Sequence, residues 1–129
     1  MANKLPADVE MAIRARDAVC AYCGGQMQNH PGVRGCQKDK ATIEHLNFDG
    51  PLYWGEGLVA EDIVICCGSC NSSRGTKALD VWFNSSYCIA RSINAETVAT
   101  PVKEYLKRRA AILFAEPTPL EGATVSDGA

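Results

Sequence analysis

The sequence lacks several features that would each define a class of protein. No apolar run is long enough to cross a bilayer, and residues 1–6 do not have the charged and apolar regions of a signal peptide. Basic residues are not in excess, because the 129-residue chain carries a formal net charge of −2. Strong autonomous binding to nucleic acid through charge alone is therefore not expected. We expect a cytoplasmic protein without membrane association.

Large aliphatic side chains are scarce in the loop-rich central part of the chain, so a hydrophobic core alone would be marginal there. Small domains with such a core are commonly stabilised by a structural metal ion. The seven cysteines are an odd number, and four of them form two equally spaced pairs. The pairing pattern leaves Cys36, Cys66 and Cys88 as free thiols, which fits a reducing compartment better than a secreted, disulfide-bonded domain.

The two Cys-x-x-Cys pairs are the strongest signal in the sequence. Cys20 pairs with Cys23, and Cys67 pairs with Cys70. Two such knuckles supply four thiolates for a closed tetrahedral zinc site, in which the ion is structural and has no open position. Because Cys66 directly precedes Cys67, either could be the first cysteine of the second pair. We favour Cys67 because only it has the two-residue gap to Cys70. Two rival ligands lack a partner at knuckle spacing and are left out: His30 and Cys36.

Two short strands are predicted around the long central loop. β-Branched residues and alternation indicate strands over 41–46 and 63–67, which we expect to pair antiparallel. On the first strand Thr42, Glu44 and Leu46 face one way, whereas Ile43 and His45 face the other. The predicted fold class is thus a small α+β domain.

Helical signals flank these strands. Asp8 is a candidate N-cap for a helix over 8–18, and Gly75 is a suitable C′ residue for a short helix over 71–74. A further helix is predicted over 78–83, with Thr76 as its cap. Thr100 followed by proline predicts the start of a last helix, whereas 84–99 shows no clear pattern.

Three polar residues supply the groups that phosphodiester hydrolysis needs. His45 is a candidate general base, because its unperturbed pKa lies near neutrality. Glu44 and Asn71 offer oxygen ligands for a catalytic Mg²⁺ or Mn²⁺. Adjacent strand residues point to opposite faces, so Glu44 and His45 reach one phosphate only through strand curvature or at the strand's end. The simpler alternative for His45 is a half-buried strand histidine, for Glu44 a surface carboxylate and for Asn71 a helix N-cap.

The strings Cys-x-Tyr-Cys-Gly, Ala-Thr-Ile-Glu-His and Cys-Gly-Ser-Cys-Asn-Ser-Ser-Arg-Gly-Thr-Lys closely resemble the HNH endonucleases, in particular the zinc-stapled, endonuclease VII-like branch of the ββα-metal nucleases. The resemblance covers residues 14–83. It implies a bacterial or phage-encoded enzyme that cuts or nicks DNA and leaves 5′-phosphate and 3′-hydroxyl ends. It also implies the roles proposed above for the four knuckle cysteines, His45, Glu44 and Asn71.

Two positions depart from the family pattern. Glu44 lies where the family usually has an aspartate, and Asp62 replaces an asparagine that braces the loop before the second strand. Asp62 accepts hydrogen bonds as asparagine does, but it donates none when ionised. Arg74 and Lys77 are candidate contacts to DNA phosphates, and the resemblance places a basic residue at 74.

The resemblance implies an HNH core with a four-cysteine zinc site between two helical segments. Its predicted parts are an N-terminal helix over 1–19, the nuclease core over 20–84, a C-terminal helical extension over 85–115 and a disordered tail over 116–129. A chain this short has little surface for reading a long DNA site, so we expect low sequence specificity or a protein partner that supplies it. The alternative function is a non-catalytic zinc module that binds nucleic acid or protein.

Overall fold

The computed structural model describes residues 5–29, 37–47, 50 and 53–114. The predicted tail over 116–129 and the candidate ligands His30 and Cys36 lie outside these residues. The predicted small α+β class is confirmed. In chain order the elements are α1 (Ala7–Arg16), β1 (Ala41–His45), a 3₁₀ turn (Ala60–Asp62), β2 (Ile63–Cys67), α2 (Gly68–Arg74), α3 (Leu79–Phe83), α4 (Ser86–Arg91) and α5 (Thr100–Phe114).

The two strands pair antiparallel, as predicted. The register runs from Ala41 opposite Cys67 to His45 opposite Ile63. All five residues of β2 are buried, whereas in β1 only Glu44 is. An isolated two-stranded sheet is marginally stable in water, so packing on both faces of β2 must hold this one together.

A separate apolar cluster covers each face of the sheet. The larger core lies on the side of Leu46 and Val64, and it contains the buried residues Cys20, Ala21, Tyr22, Leu46, Val64, Cys66, Cys67, Cys70, Leu79, Trp82, Cys88, Ile93, Val98, Val102 and Tyr105. The smaller core contains Ile13, Leu58, Ile63 and Ile65, with Ile43 and Trp54 packed against it. The long loop between the strands therefore contributes Trp54 to a core, while Tyr53 stays 57% exposed.

The first Cys-x-x-Cys segment folds back on itself and docks on β2. The amide of Cys20 donates to the carbonyl of Gly25 at 2.9 Å, and a bridge pairs Val19 with Gln26. Gly24 has a φ of +74°, a conformation that favours glycine. The amide of Ala21 donates to the carbonyl of Ile65 at 3.0 Å, which holds the knuckle beside the strand that leads into the second cysteine pair.

Three of the predicted helices begin or are capped at other residues than expected, and α4 lies in a segment for which no helix was predicted. The cap of α1 is Pro6, so the prediction of Asp8 as N-cap is wrong; Asp8 lies in the first turn, where its charge complements the helix dipole. α2 begins at Gly68 rather than at 71, and it ends at Gly75 as predicted. The cap of α3 is Ala78 rather than Thr76. None of the described helices combines the length and apolarity needed to cross a membrane.

Candidate functional site

The four predicted knuckle cysteines come together in one cluster. The Sγ atoms of Cys20, Cys23, Cys67 and Cys70 all lie within 4.8 Å of one another. The Sγ atoms of Cys23 and Cys67 are 3.9 Å apart, close to the spacing of about 3.8 Å between thiolates that bind one tetrahedral zinc at about 2.3 Å. No disulfide joins any of the described cysteines. The donor set and its spacing fit a structural Zn²⁺ with a closed coordination sphere.

Backbone amides converge on the sulfurs of this cluster. The amides of Tyr22, Cys23 and Cys67 lie 3.4, 3.4 and 3.3 Å from Cys20 Sγ. The amide of Cys70 lies 3.5 Å from Cys67 Sγ, which caps α2. Without a metal ion the cluster thiols bond to one another: side-chain bonds from Cys67 and Cys70 lower the pKa of Cys20, and the same bonds raise the pKa of Cys67 and Cys70. Donors aimed at sulfur favour the thiolate, which is the form that binds a metal.

Asn71, the residue after the last cysteine, links α2 to β1. Its Nδ2 donates to Thr42 Oγ1 at 2.9 Å and to the carbonyl oxygen of Ile43 at 3.4 Å. A carbonyl only accepts, so the nitrogen of the amide faces the strand and Oδ1 is directed away from these two partners. Thr42 in turn donates to the carbonyl of Cys66 at 2.7 Å. The first turn of α2 is thus held against the middle of β1.

Glu44 lies in a buried ion pair. Its side chain is on the same face of β1 as Thr42, and its Oε2 accepts from Tyr22 Oη and from Arg74 Nη1, each at 2.7 Å. Burial raises the pKa of Glu44, while the hydrogen bonds from Tyr22 and Arg74 lower it. A carboxylate engaged in this way offers a further cation only its second oxygen, Oε1. Glu44 therefore has a structural role that the sequence did not indicate.

Arg74 is buried rather than exposed to a nucleic acid. Its side chain is 1% exposed, and besides Glu44 it binds three carbonyl oxygens, those of His45 at 2.9 Å, Leu46 at 2.8 Å and Lys77. This arrangement corrects the predicted placement of Arg74 at the DNA phosphates, because its guanidinium is already desolvated and bonded within the protein. Arg74 instead joins the end of β1 to the end of α2.

His45 is the last residue of β1 and lies on the other face of the strand from Glu44. Its register partner Ile63 belongs to the smaller core, whereas Val64, the partner of Glu44, belongs to the larger one. The imidazole is half-buried, and desolvation lowers the pKa of His45. The structure thus brings Glu44 and Asn71 to one face and leaves His45 on the opposite face, at the strand's end. This is the separation that alternation along a strand predicts.

Two further positions singled out from the sequence, Lys77 and Asp62, lie outside the cysteine cluster and the buried ion pair. Lys77 is exposed, as a phosphate contact requires, and its Nζ donates to the carbonyl of Ser73 at 3.1 Å. Asp62 Oδ1 lies 3.4 Å from an Arg108 guanidinium nitrogen, and the backbone carbonyl of Asp62 accepts from the amide of Leu46 at 2.8 Å. Asp62 therefore contacts the end of β1 through its backbone and α5 through its side chain.

Sequence reasoning missed two residues that contact the site. Tyr22 is inside the first knuckle, and its burial follows from tertiary packing against Trp82, with ring centroids 4.9 Å apart. Tyr87 lies on α4, in a segment without a clear pattern, and its hydroxyl reaches Cys70 Sγ at 3.3 Å. A tyrosine between two knuckle cysteines was visible in the sequence, but nothing there connected Tyr87 with the metal cluster.

Comparison with protein-family models, with curated proteins and with solved structures finds no significant match for this chain.

Proposed function

We propose that this protein is a metal-dependent DNA endonuclease or nickase of the HNH kind. The observation that carries the proposal is the cysteine cluster closing a strand–strand–helix unit in which Asn71 of α2 donates to Thr42 of β1 at 2.9 Å. This contact supports a site between α2 and β1, in which Asn71 lies beside the middle of the strand and His45 is its last residue. His45 and Asn71 keep their predicted roles as general base and metal ligand.

In this proposal each residue has one task. Half-burial lowers the pKa of His45, so its ring is neutral at pH 7 and accepts a proton from the attacking water. Asn71 Oδ1 and the second oxygen of Glu44 would hold a divalent ion, which supplies positive charge next to the phosphate. The water oxygen bonds to phosphorus as its proton passes to His45, and the P–O3′ bond breaks; the leaving 3′-oxygen takes a proton from solvent, which leaves a 5′-phosphate and a 3′-hydroxyl. Lys77 is the exposed cation nearest along the chain to Asn71 and contacts the backbone phosphates.

Hydrogen bonds to the backbone hold the end of β1 in place. Arg74 binds the carbonyls of His45 and Leu46, and the backbone of Asp62 binds the amide of Leu46. Because these contacts restrain the backbone at and directly after His45, the ring starts from a defined position at the edge of the sheet. His45 lies on the opposite face of β1 from Glu44, so in this proposal its ring would address the phosphate from the strand's end rather than across the sheet.

Plasmid nicking with Mg²⁺ or Mn²⁺ tests the proposal. The wild-type protein is expected to convert supercoiled DNA to open circles, and His45→Ala to do so about 100-fold more slowly, because general-base catalysis typically contributes about that factor or more. His30→Ala is the matched control, since His30 is the other histidine in the chain. Equal cleavage by wild type and His45→Ala would indicate a contaminating nuclease and contradict the proposed role.

Asn71→Ala is expected to weaken binding of the catalytic divalent ion and to leave zinc binding unchanged. Its amide is not among the sulfur ligands, so zinc content should stay at one ion per chain while the Mg²⁺ concentration needed for half-maximal nicking rises about tenfold or more. Inductively coupled plasma spectrometry and a Mg²⁺ titration measure the two quantities separately. Loss of zinc in this variant would mean that the two roles were assigned to the wrong residues.

One observation favours a second function, a non-catalytic zinc module that binds nucleic acid or protein. The Glu44 carboxylate is 5% exposed and already paired with Arg74, which is what a purely structural acid would show. No nicking by the wild type with either metal, together with retained DNA binding in a gel-shift assay, would favour this module. The same result without DNA binding would point to a protein partner.

A further inference from the structure

The hydroxyl of Tyr87 contacts the metal cluster from outside the knuckles. Tyr87 lies on α4, in the helical extension, and its Oη is 3.3 Å from Cys70 Sγ and 2.8 Å from Ser69 Oγ. Cys70 is completely buried, so water does not solvate this sulfur in place of the phenol. No part of the proposed nuclease chemistry uses this contact.

The direction of the hydrogen bonds follows from the chemistry of the partners. A zinc-bound thiolate can only accept, and a phenol has one proton, so Tyr87 donates to Cys70 Sγ. Ser69 must then donate its hydroxyl proton to Tyr87 Oη, which orients the phenol toward the sulfur. The result is a chain of donors from Ser69 through Tyr87 to Cys70.

Two further contacts hold the tyrosine ring in this position. The ring stacks on Trp82, with centroids 6.0 Å apart and an interplanar angle of 26°. On α4 the Arg91 guanidinium carbon lies 3.7 Å from the ring centroid. A cation over the ring face withdraws electron density from the phenol and strengthens its hydroxyl as a donor. The ring is therefore both positioned and polarised for a hydrogen bond to sulfur.

We propose that Tyr87 is a positioning residue of the four-cysteine metal site, whose hydroxyl stabilises the Cys70 thiolate and so sets how tightly the site holds zinc. Four thiolates and one Zn²⁺ carry a net charge of −2, and a buried site of that charge needs donors around its sulfurs. Backbone amides from the knuckles supply several donors, and α4 supplies this additional one. The inference rests on the metal cluster and stands or falls independently of the nuclease function.

Tyr87→Phe in the full chain tests the proposal, because it keeps the ring and removes the hydroxyl. Zinc affinity, measured by competition with a colorimetric chelator, is expected to fall about tenfold or more, as for other outer partners of metal ligands. Tyr53→Phe makes the same chemical change at an exposed position and is expected to leave the affinity unchanged. Ser69→Ala, which removes the orienting donor, is expected to lower the affinity in the same direction but less.

Cobalt substitution gives a second readout that a packing role would not change. A hydrogen bond lowers the energy of the sulfur lone pairs, so in Co²⁺-loaded Tyr87→Phe the sulfur-to-metal charge-transfer band is expected to shift to longer wavelength. Zinc affinity within twofold of wild type, together with an unshifted band, would overturn the proposal. Tighter zinc binding by Ser69→Ala would also overturn it, since the phenol would then be donating to Ser69 instead.

Discussion

Chelation of zinc from the full chain is expected to unfold most of the region over 20–84. Three of the four cluster cysteines belong to the larger core, and the first knuckle reaches β2 beside them. Zinc binding to structural sites contributes about 10–16 kcal/mol at neutral pH, whereas a domain of this size has a total stability of about 5–15 kcal/mol. Loss of the ion therefore removes a contribution as large as the total stability, and the remaining contacts between the sheet and the knuckle are not expected to keep this region folded.

Trp82 is the natural reporter of this unfolding. It is completely buried in the larger core, next to Tyr22 of the first knuckle. In a Trp54→Phe background its fluorescence emission should move to longer wavelength on chelation, together with loss of the far-ultraviolet circular dichroism signal. Both changes should reverse when zinc is added back. An unchanged dichroism spectrum after complete zinc removal would contradict the structural role of the metal.

The adjacent cysteines of β2 provide a matched pair of variants. Cys67→Ala removes a cluster sulfur and is expected to lose zinc and unfold. Cys66→Ala removes a buried thiol outside the cluster, whose Sγ lies 3.8 Å from Thr42 Oγ1, and should retain one zinc per chain. The opposite pattern would mean that the register of the second knuckle is wrong.

Arg74→Met is expected to destabilise the fold by about 3–5 kcal/mol, the typical effect of removing one partner of a buried ion pair. Among the described residues, the substitution leaves the buried Glu44 carboxylate with the Tyr22 hydroxyl as its hydrogen-bond donor. It also leaves the carbonyls of His45 and Leu46 without the guanidinium donor. Urea unfolding of the zinc-loaded protein measures the change.

The destabilisation should depend on pH in a defined direction. Burial raises the pKa of Glu44, and Arg74 opposes that rise, so the pKa of Glu44 is higher still in Arg74→Met. An acid with a raised pKa in the folded state loses stability as pH rises from its unfolded pKa through its folded one. The stability difference between variant and wild type should therefore be largest near pH 7.5 and smaller at pH 5.5.

Two comparisons separate this structural role from a DNA contact. Lys77→Met removes an exposed charge and should change stability by no more than about 0.5 kcal/mol. Glu44→Gln combined with Arg74→Met should destabilise less than the sum of the single changes, because the double variant leaves neither charge buried alone. Unaltered stability of Arg74→Met with weakened DNA binding would instead support the phosphate contact predicted from the sequence.

Local patterns in the chain were enough to predict most of the secondary structure. β-Branched residues marked β2 to the residue, and a glycine marked the end of α2. The α4 helix was missed, because its six residues are too few to show a helical periodicity. A helix this short depends on tertiary contacts, here those of Cys88 and Tyr87 with the larger core.

The sequence by itself determined the metal cluster, since two knuckles of identical spacing leave few ways to bind one ion, and it determined which face of β1 each residue occupies. Only the tertiary structure decided whether the charged side chains are buried and whether they form ion pairs. Exposure and ion pairing depend on what packs above a residue, and neither Glu44 nor Arg74 carries a local sign of burial. The same reason applies to Tyr87, whose hydrogen bond to sulfur requires α4 to lie beside a knuckle cysteine from which it is 17 residues distant in sequence.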